Sequence, residues 1–201
     1  MTIIAFISQK GGVGKSTLAR AVAIEVRKQK IKTLLADCDP QQSTSYEWSK
    51  INKKVNCQVF NSVKEIWPLS NKYDLIIIDA PARASKGTLE IAQKANLIIQ
   101  PVGASNDDLM PAVKEFNALV KAGVNKKKLL FVLTRLSTPK EAEAIKEYLR
   151  DTDYSFTTNY LPEKTSYKQV QNEGRSVGEV SYKTLRNQAK KLVNELLNYL
   201  T

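Results

Sequence analysis

Residues 9–17, Gln-Lys-Gly-Gly-Val-Gly-Lys-Ser-Thr, constrain the fold more tightly than any other stretch of the chain. They follow an apolar run, Ile3-Ile4-Ala5-Phe6-Ile7, and precede a helical pattern of Leu18, Ala19, Val22, Ala23 and Val26. A strand feeding a glycine-rich turn and then a helix start is an arrangement for holding a phosphate chain. Glycines let backbone N–H groups curl around phosphate oxygens, and the helix N-terminus adds positive potential. Lys15 can reach the β- and γ-phosphates, and the Ser16 hydroxyl can ligate Mg²⁺. The pattern predicts nucleotide contacts from Lys10, Gly11, Gly12, Val13, Gly14, Lys15, Ser16 and Thr17.

The ordinary phosphate-loop pattern opens on a glycine, and Gln9 stands in that place. A second lysine, Lys10, directly precedes Gly11, which gives the deviant Walker A signature K-G-G-x-G-K-[ST]. Further acids and strands follow in order. Asp37-Cys38-Asp39-Pro40-Gln41 succeeds the apolar Thr33-Leu34-Leu35-Ala36. Tyr73-Asp74-Leu75-Ile76-Ile77-Ile78-Asp79-Ala80-Pro81 and Asn96-Leu97-Ile98-Ile99-Gln100-Pro101-Val102 come next.

On these motifs the chain resembles the ParA/MinD family of P-loop ATPases, specifically from residue 2 to about 135 and more loosely to the end. The D-x-D-P-Q string looks like the family's switch I, and the stretch ending at Pro81 like its Walker B strand and switch II turn. The short length and lack of an N-terminal extension resemble the small ParA type that segregates plasmids. The resemblance implies that Asp39 positions the attacking water, that Asp37 supports the metal shell through water, and that Asp79 is the outer-shell Mg²⁺ partner. An acid ending an apolar strand, as Asp79 does, is costly unless it serves an ion or a hydrogen-bond network. The resemblance also implies that Lys10 reaches across a nucleotide-sandwich dimer to the partner's phosphates. Dimerisation is then tied to ATP, and hydrolysis acts as a timer. Lys10, Lys15 and Asp39 are thus the expected catalytic residues, with Ser16, Asp37 and Asp79 around the metal. Pro101 and Val102 are expected near the base by family position. Arg135 either flanks the base or is solvated. No N-K-x-D guanine motif occurs where Thr134-Arg135 stands, which favours ATP.

Composition bounds the rest. The chain's 201 residues fit one domain, 1–201, with a sizeable core. No run of 18 apolar residues occurs, and no basic stretch precedes the first apolar segment, so a signal peptide or membrane span is not supported and a cytoplasmic protein is expected. Cys38 and Cys57 are the only cysteines, which suits a reducing compartment. There is no histidine, which removes imidazole bases, Ser-His triads and His-based zinc sites.

Apolar runs at 2–8, 32–37, 73–79, 95–102 and 128–134 alternate with helical patterns near 15–29, 85–95, 107–122 and 138–150. This predicts an α/β fold with a mostly parallel twisted sheet flanked by helices on both faces. Nucleotide then binds at the carboxyl ends of the strands, where residues 9–16, 37–41 and 79–83 fall. Residues 43–72 are less regular, with Trp48 and Trp67 expected to pack a helix and a short strand. A last amphipathic helix, roughly 183–200, carries Leu185, Ala189, Leu192, Val193, Leu196, Leu197 and Leu200 on one face, with Arg186, Lys190 and Asn194 outward.

The net charge of +11 is best explained by a polyanionic partner. Lys164, Lys168, Arg175, Lys183, Arg186 and Lys190 fall in a stretch with few acids, and Arg186 and Lys190 share a helix face. The resemblance implies that such residues of an ATP-bound homodimer bind DNA without sequence preference, which places the protein on the nucleoid. It further implies a ParB-like centromere-binding adaptor that stimulates hydrolysis. A MinD-like membrane ATPase shares the motifs, but the final stretch from Leu192 has one Glu and no Lys or Arg, which argues against membrane binding. A positioning ATPase for another cargo and a non-enzymatic DNA-bundling protein remain as alternatives.

Overall fold

Apolar runs form the strands because the sheet is covered on both faces. The computed structural model describes residues 1–82 and 86–200. Along the chain it builds β1 (Thr2–Phe6), α1 (Lys15–Lys28), β2 (Thr33–Asp37), α2 (Thr44–Asn52), β3 (Cys57–Val59), β4 (Leu75–Asp79) and α3 (Lys86–Lys94). Then come β5 (Leu97–Val102), α4 (Asn106–Lys121), β6 (Leu129–Leu136), α5 (Pro139–Arg150), β7 (Ser155–Pro162), α6 (Thr165–Asn172) and α7 (Lys183–Asn198). The strands form one 7-stranded sheet in the order β3-β2-β4-β1-β5-β6-β7. Every pairing among the described residues is parallel, so the sheet is wholly rather than mostly so.

Side chains alternate across this sheet. Ile3, Ala5 and Ile7 of the first strand and its exit join a core with Ile91, Phe116 and Ile145 from α3, α4 and α5. Ile4 and Phe6 enter a second core with Leu18, Val22, Leu192 and Leu196 from α1 and α7. On one side Phe116 stacks on Phe131 at 4.2 Å between ring centroids, with Tyr154 edge-on. On the other, α7 buries Ala189, Leu192, Val193 and Leu196, while Leu185, Leu197 and Leu200 pack partly against the same cluster. Both tryptophans pack: Trp48 is buried and its indole N–H donates to the Arg175 carbonyl at 3.2 Å. Trp67 packs against the first core and donates to Glu90 at 2.7 Å.

Helix α2 and strand β3 fall in residues 43–72, where a helix and a short strand were expected without bounds, whereas β7 and α6 escaped the sequence pattern. Strand β3 has only 3 residues. Strand β7 is a polar edge whose pairing with β6 shifts register, and Glu195 of α7 accepts the Thr158 and Asn159 N–H groups at 2.6 and 2.9 Å. Helix α6 buries only Tyr167 and Val170. Of the predicted segments, residue 83 of the 79–83 turn and residue 85 of the 85–95 helix lie outside the described residues.

Helix α2 meets the turn after α6 closely. Gly174 has φ +71, its carbonyl accepts from Asn52 Nδ2 at 2.6 Å, and an added Cβ would stand 2.8 Å from the Asn52 nitrogen. Gly174→Ala therefore combines a left-handed backbone with a backbone clash, and is expected to lower unfolding stability by roughly 1–3 kcal/mol in a urea titration.

Candidate nucleotide-binding site

Strand register brings the acids together before any ligand does. In the sheet Asp79 is the direct partner of Phe6 on one side and of Asp37 on the other. The loop leaving β1 thus opens directly beside two carboxylates. Its turns require glycine: Gly12 has φ 75 and Gly14 has φ 107. Helix α1 starts at Lys15, whose side chain is buried. Burial pushes the Lys15 amine below its ordinary range, and the fields of Asp79, Asp39 and Glu115 pull it partly back.

The loop is held from outside its own segment. Thr134 at the end of β6 donates its hydroxyl to the Val13 carbonyl at 2.7 Å, and Arg135 donates Nη1 to the Gly12 carbonyl at 3.1 Å. Arg135 itself sits at φ 58, a left-handed conformation that aims it at the loop. Beneath, the buried Glu115 of α4 accepts from Gln100 Nε2 at 2.7 Å and from Gln9. Burial pushes the Glu115 carboxyl up, while these donors and Lys15 hold it down. The sequence reading missed Thr134 and Glu115. The signal was a threonine closing an apolar run and an acid on the helix face that carries Ala112, Phe116 and Leu119, where each needs a partner.

The two strand-end acids are used differently. Asp37 Oδ2 accepts the N–H groups of Ser45 and Tyr46 at 2.9 and 3.0 Å, and its Oδ1 accepts that of Asp39 at 3.1 Å. These bonds pin the start of α2 and the Asp39 turn. The expectation of a through-water metal contact for Asp37 therefore meets a carboxylate already committed to backbone donors. Asp79 Oδ2 accepts the Ser45 hydroxyl at 2.6 Å, whereas Oδ1 is buried with no hydrogen-bond partner. Burial pushes both carboxyls up, and their hydrogen bonds act the other way. The Ser16 hydroxyl stands close enough to help hold the Asp79 carboxyl down, and a buried carboxylate oxygen together with that hydroxyl fits a hydrated Mg²⁺. Such an ion usually takes one or two side chains, several waters and substrate phosphates. A cavity of about 270 Å³ lies here, bordered by Gly12, Lys15, Ser16, Asp39, Thr44 and Asp79. A larger cavity, about 620 Å³, lies beside it between the Asp39 turn and α3, and Asp39, Gln42 and Ala82 border both.

Lys10 is half-exposed and forms an ion pair with Asp108 in the first turn of α4. Its N–H bonds the Ser8 hydroxyl at 3.1 Å. In this protomer the signature lysine therefore points to its own fourth helix.

Pro101 and Val102, expected near the base, are buried at the end of β5, where the Val102 carbonyl accepts from the Thr134 hydroxyl at 3.3 Å, and neither borders a cavity at the loop. A cavity of about 300 Å³ instead runs from Gly12, Gly14 and Thr17 to Arg135 and the end of β7, at Leu161, Pro162 and Tyr167. Lys164 and Lys168 also line it, and Lys168 pairs with Glu163 at 3.0 Å. The residues expected to meet DNA thus fall into separate settings. Arg175 pairs with Glu173 at 3.1 Å and donates to the Glu179 carbonyl. Arg186 is half-buried and reaches the Val180 carbonyl at 3.4 Å, and Lys190 is half-buried, so neither points freely outward. Lys183 is exposed.

Residues 4–177 match the family described as the CobQ/CobB/MinD/ParA nucleotide binding domain. The chain belongs to this family. An uncharacterized protein, BBD21, of Borreliella burgdorferi is 52% identical over 48 residues, a match covering 24% of this chain and 19% of that protein. Among solved structures, an ATP complex of McdA from Cyanothece superposes with TM-score 0.76 at 19% identity, covering 98% of this chain and 96% of that one. A putative plasmid partition protein from Borrelia burgdorferi bound to AMPPNP gives 0.72 at 20% identity, covering 98% of each chain. MinD of Pyrococcus horikoshii with Mg-ADP gives 0.72 at 19% identity, covering 97% of this chain and 95% of that one. These likenesses establish a common fold.

Thr134→Val keeps the side-chain volume but leaves the buried Val13 carbonyl without its hydroxyl donor. It is expected to cost about 1–3 kcal/mol of unfolding stability. Because a loop freed from this brace must order itself around the phosphates, the ligand-induced Tm gain should be smaller than in the parent protein.

Proposed function

We propose that this chain is a Mg²⁺-dependent ATP hydrolase of the DNA-partition type, working as an ATP-dependent homodimer. The observation that carries the reading is the convergence of Lys15, Ser16, Asp39 and the open oxygen of Asp79 on one cavity at a deviant Walker A loop. ATP and Mg²⁺ are supported by that geometry and by the nucleotides held in the similar structures. Backbone N–H groups of the loop and Lys15 take the phosphates, while Ser16 and, through water, Asp79 hold Mg²⁺. The ion neutralises charge on the β- and γ-phosphates. Asp39, half-buried and facing the cavity, orients the attacking water. The adenosine fits the cavity between Arg135 and the end of β7. Lys10 reaches the partner's phosphates in the dimer, so loss of γ-phosphate removes the charge that holds the two protomers together.

Segregation of plasmid or chromosomal DNA, with a ParB-like adaptor that stimulates hydrolysis and a nucleoid-bound ATP state, is favoured by the +11 charge. The exposed Lys164, Lys168 and Lys183 are the best placed of the expected phosphate-contacting residues, with Lys190 beside them on α7. No described helix is long and apolar enough to cross a membrane. The alternatives, a MinD-like or other cargo-positioning ATPase and a DNA-bundling protein without turnover, are separated by the same measurements.

Lys15→Ala is expected to abolish nucleotide binding in a fluorescent-nucleotide titration; undiminished binding overturns the assignment. Asp39→Ala should accumulate an ATP dimer that fails to hydrolyse, and Lys10→Ala should lose the ATP-dependent dimer seen by sedimentation. Because Lys10 must leave Asp108 to reach a partner, Asp108→Asn should lower the protein concentration for ATP-dependent dimerisation by about two- to five-fold, the scale of a partly exposed ion pair. Duplex DNA should bind the ATP form without sequence preference, weakening by orders of magnitude between about 50 and 200 mM salt. Replacing the exposed Lys183 by alanine should weaken all sequences alike and leave ATP affinity unchanged.

A further inference from the structure

Arg20 lies on α1 one turn beyond Ser16, borders the phosphate cavity, and is half-buried. Its Nε donates to Ser45 Oγ at 3.2 Å and its Nη1 to Gln171 Oε1 at 3.3 Å. The guanidinium stands 5.5 Å from the centroid of the Trp48 ring. Ser45 is fully buried, donates its hydroxyl to Asp79 Oδ2 at 2.6 Å, and donates its backbone N–H to Asp37 Oδ2 at 2.9 Å. One residue, Ser45, therefore stands between the guanidinium and two buried carboxylates, its hydroxyl linking Arg20 to Asp79 and its backbone N–H bonding Asp37. Among the described residues no carboxylate lies within ion-pair distance of Arg20. It serves as no surface ion pair, and its fork is shared between α2 and α6.

The charges facing this pair of acids are few. Lys15 comes from the loop and Arg20 from α1, against Asp37, Asp39, Asp79 and, farther off, Glu115. Buried carboxylates that lack a compensating cation are strongly unfavourable. A divalent ion supplies that compensation only while nucleotide holds it.

We propose that Arg20 is a resident counter-charge for the metal site, offsetting Asp37 and Asp79 when no ion is bound and, through Ser45, keeping the free oxygen of Asp79 aimed at the ion. Arg20 is a positioning residue, since it acts on Asp79 through the Ser45 hydroxyl. The inference rests on the reading that Asp79 faces Mg²⁺. Its thermodynamic consequence has a definite sign. A chain without this cation is destabilised most when the ion is absent, and Mg²⁺ restores more stability to it than to the parent. By linkage, whatever stabilises the variant more also binds it more tightly.

The test is a Mg²⁺ titration at saturating ADP and pH 8, following Tm for the parent, Arg20→Met and Arg20→Lys. In the absence of Mg²⁺, Arg20→Met should melt roughly 5–10 °C below the parent. Saturating Mg²⁺ should recover at least about half of that loss, with a half-saturating Mg²⁺ concentration at least about two-fold lower than the parent's. Arg20→Lys, which keeps the charge, should track the parent in both. Arg20→Gln retains a hydrogen-bonding group for Ser45 and supplies the same comparison should the methionine variant not fold. An equal Tm loss with and without Mg²⁺, at an unchanged half-saturation, would mean that Arg20 only packs against Trp48 and overturns the proposal. A parent protein whose Tm and ADP affinity ignore Mg²⁺ overturns the metal reading itself, and the proposal with it.

Discussion

Two carboxylates placed side by side at the ends of β2 and β4 are the constraint to which the rest of the nucleotide-facing edge answers. Parallel register makes Asp37 and Asp79 neighbours whether or not the chain has a ligand. Taking such groups out of water costs far more than typical net stability unless donors or cations meet them. The chain meets Asp37 with the N-terminus of α2, which fixes the segment carrying Asp39. It meets Asp79 halfway, with one oxygen bonded to Ser45 and the other left open. Folding and ligand binding thereby share one unfinished electrostatic problem, and the incomplete half faces the cavity at the loop.

Much of this was legible in the amino-acid order. The phosphate loop, the strand-end acids and the strands of the sheet's centre announce themselves because each rests on a local rule: glycine at left-handed turns, an acid breaking an apolar run, unbroken apolar character in doubly covered strands. Strands β3 and β7 and helix α6 were not legible for physical reasons. β3 is too short to show a period, and β7 is an edge whose polar residues bond to Glu195 on α7. α6 offers only Tyr167 and Val170 to the core.

The site followed the same division. Residues that act through their own segment, such as Gly12, Gly14, Lys15 and Ser16, stand where their spacing predicts. Residues that act across the fold did not show themselves. Nothing in the string Thr134-Arg135 says that its side chains hold a loop 120 residues earlier in the chain. Pro101 and Val102 were expected near the base by family position, and the fold buries both at the end of β5, where Thr134 links Val102 to the cavity. The six basic residues were grouped by proximity in sequence, whereas the fold commits Arg175 and Arg186 to backbone carbonyls and leaves the lysines more exposed.

The brace from β6 has a thermodynamic consequence. Thr134 and Arg135 bond the carbonyls of Val13 and Gly12 from a strand of the sheet, so the loop is fastened to the core at two points besides its own ends. A loop that had to order itself around each nucleotide would impose an entropy cost on every encounter. Fastened in this way, the cradle has little freedom to lose when a phosphate enters it, and the binding free energy goes into contacts rather than into ordering.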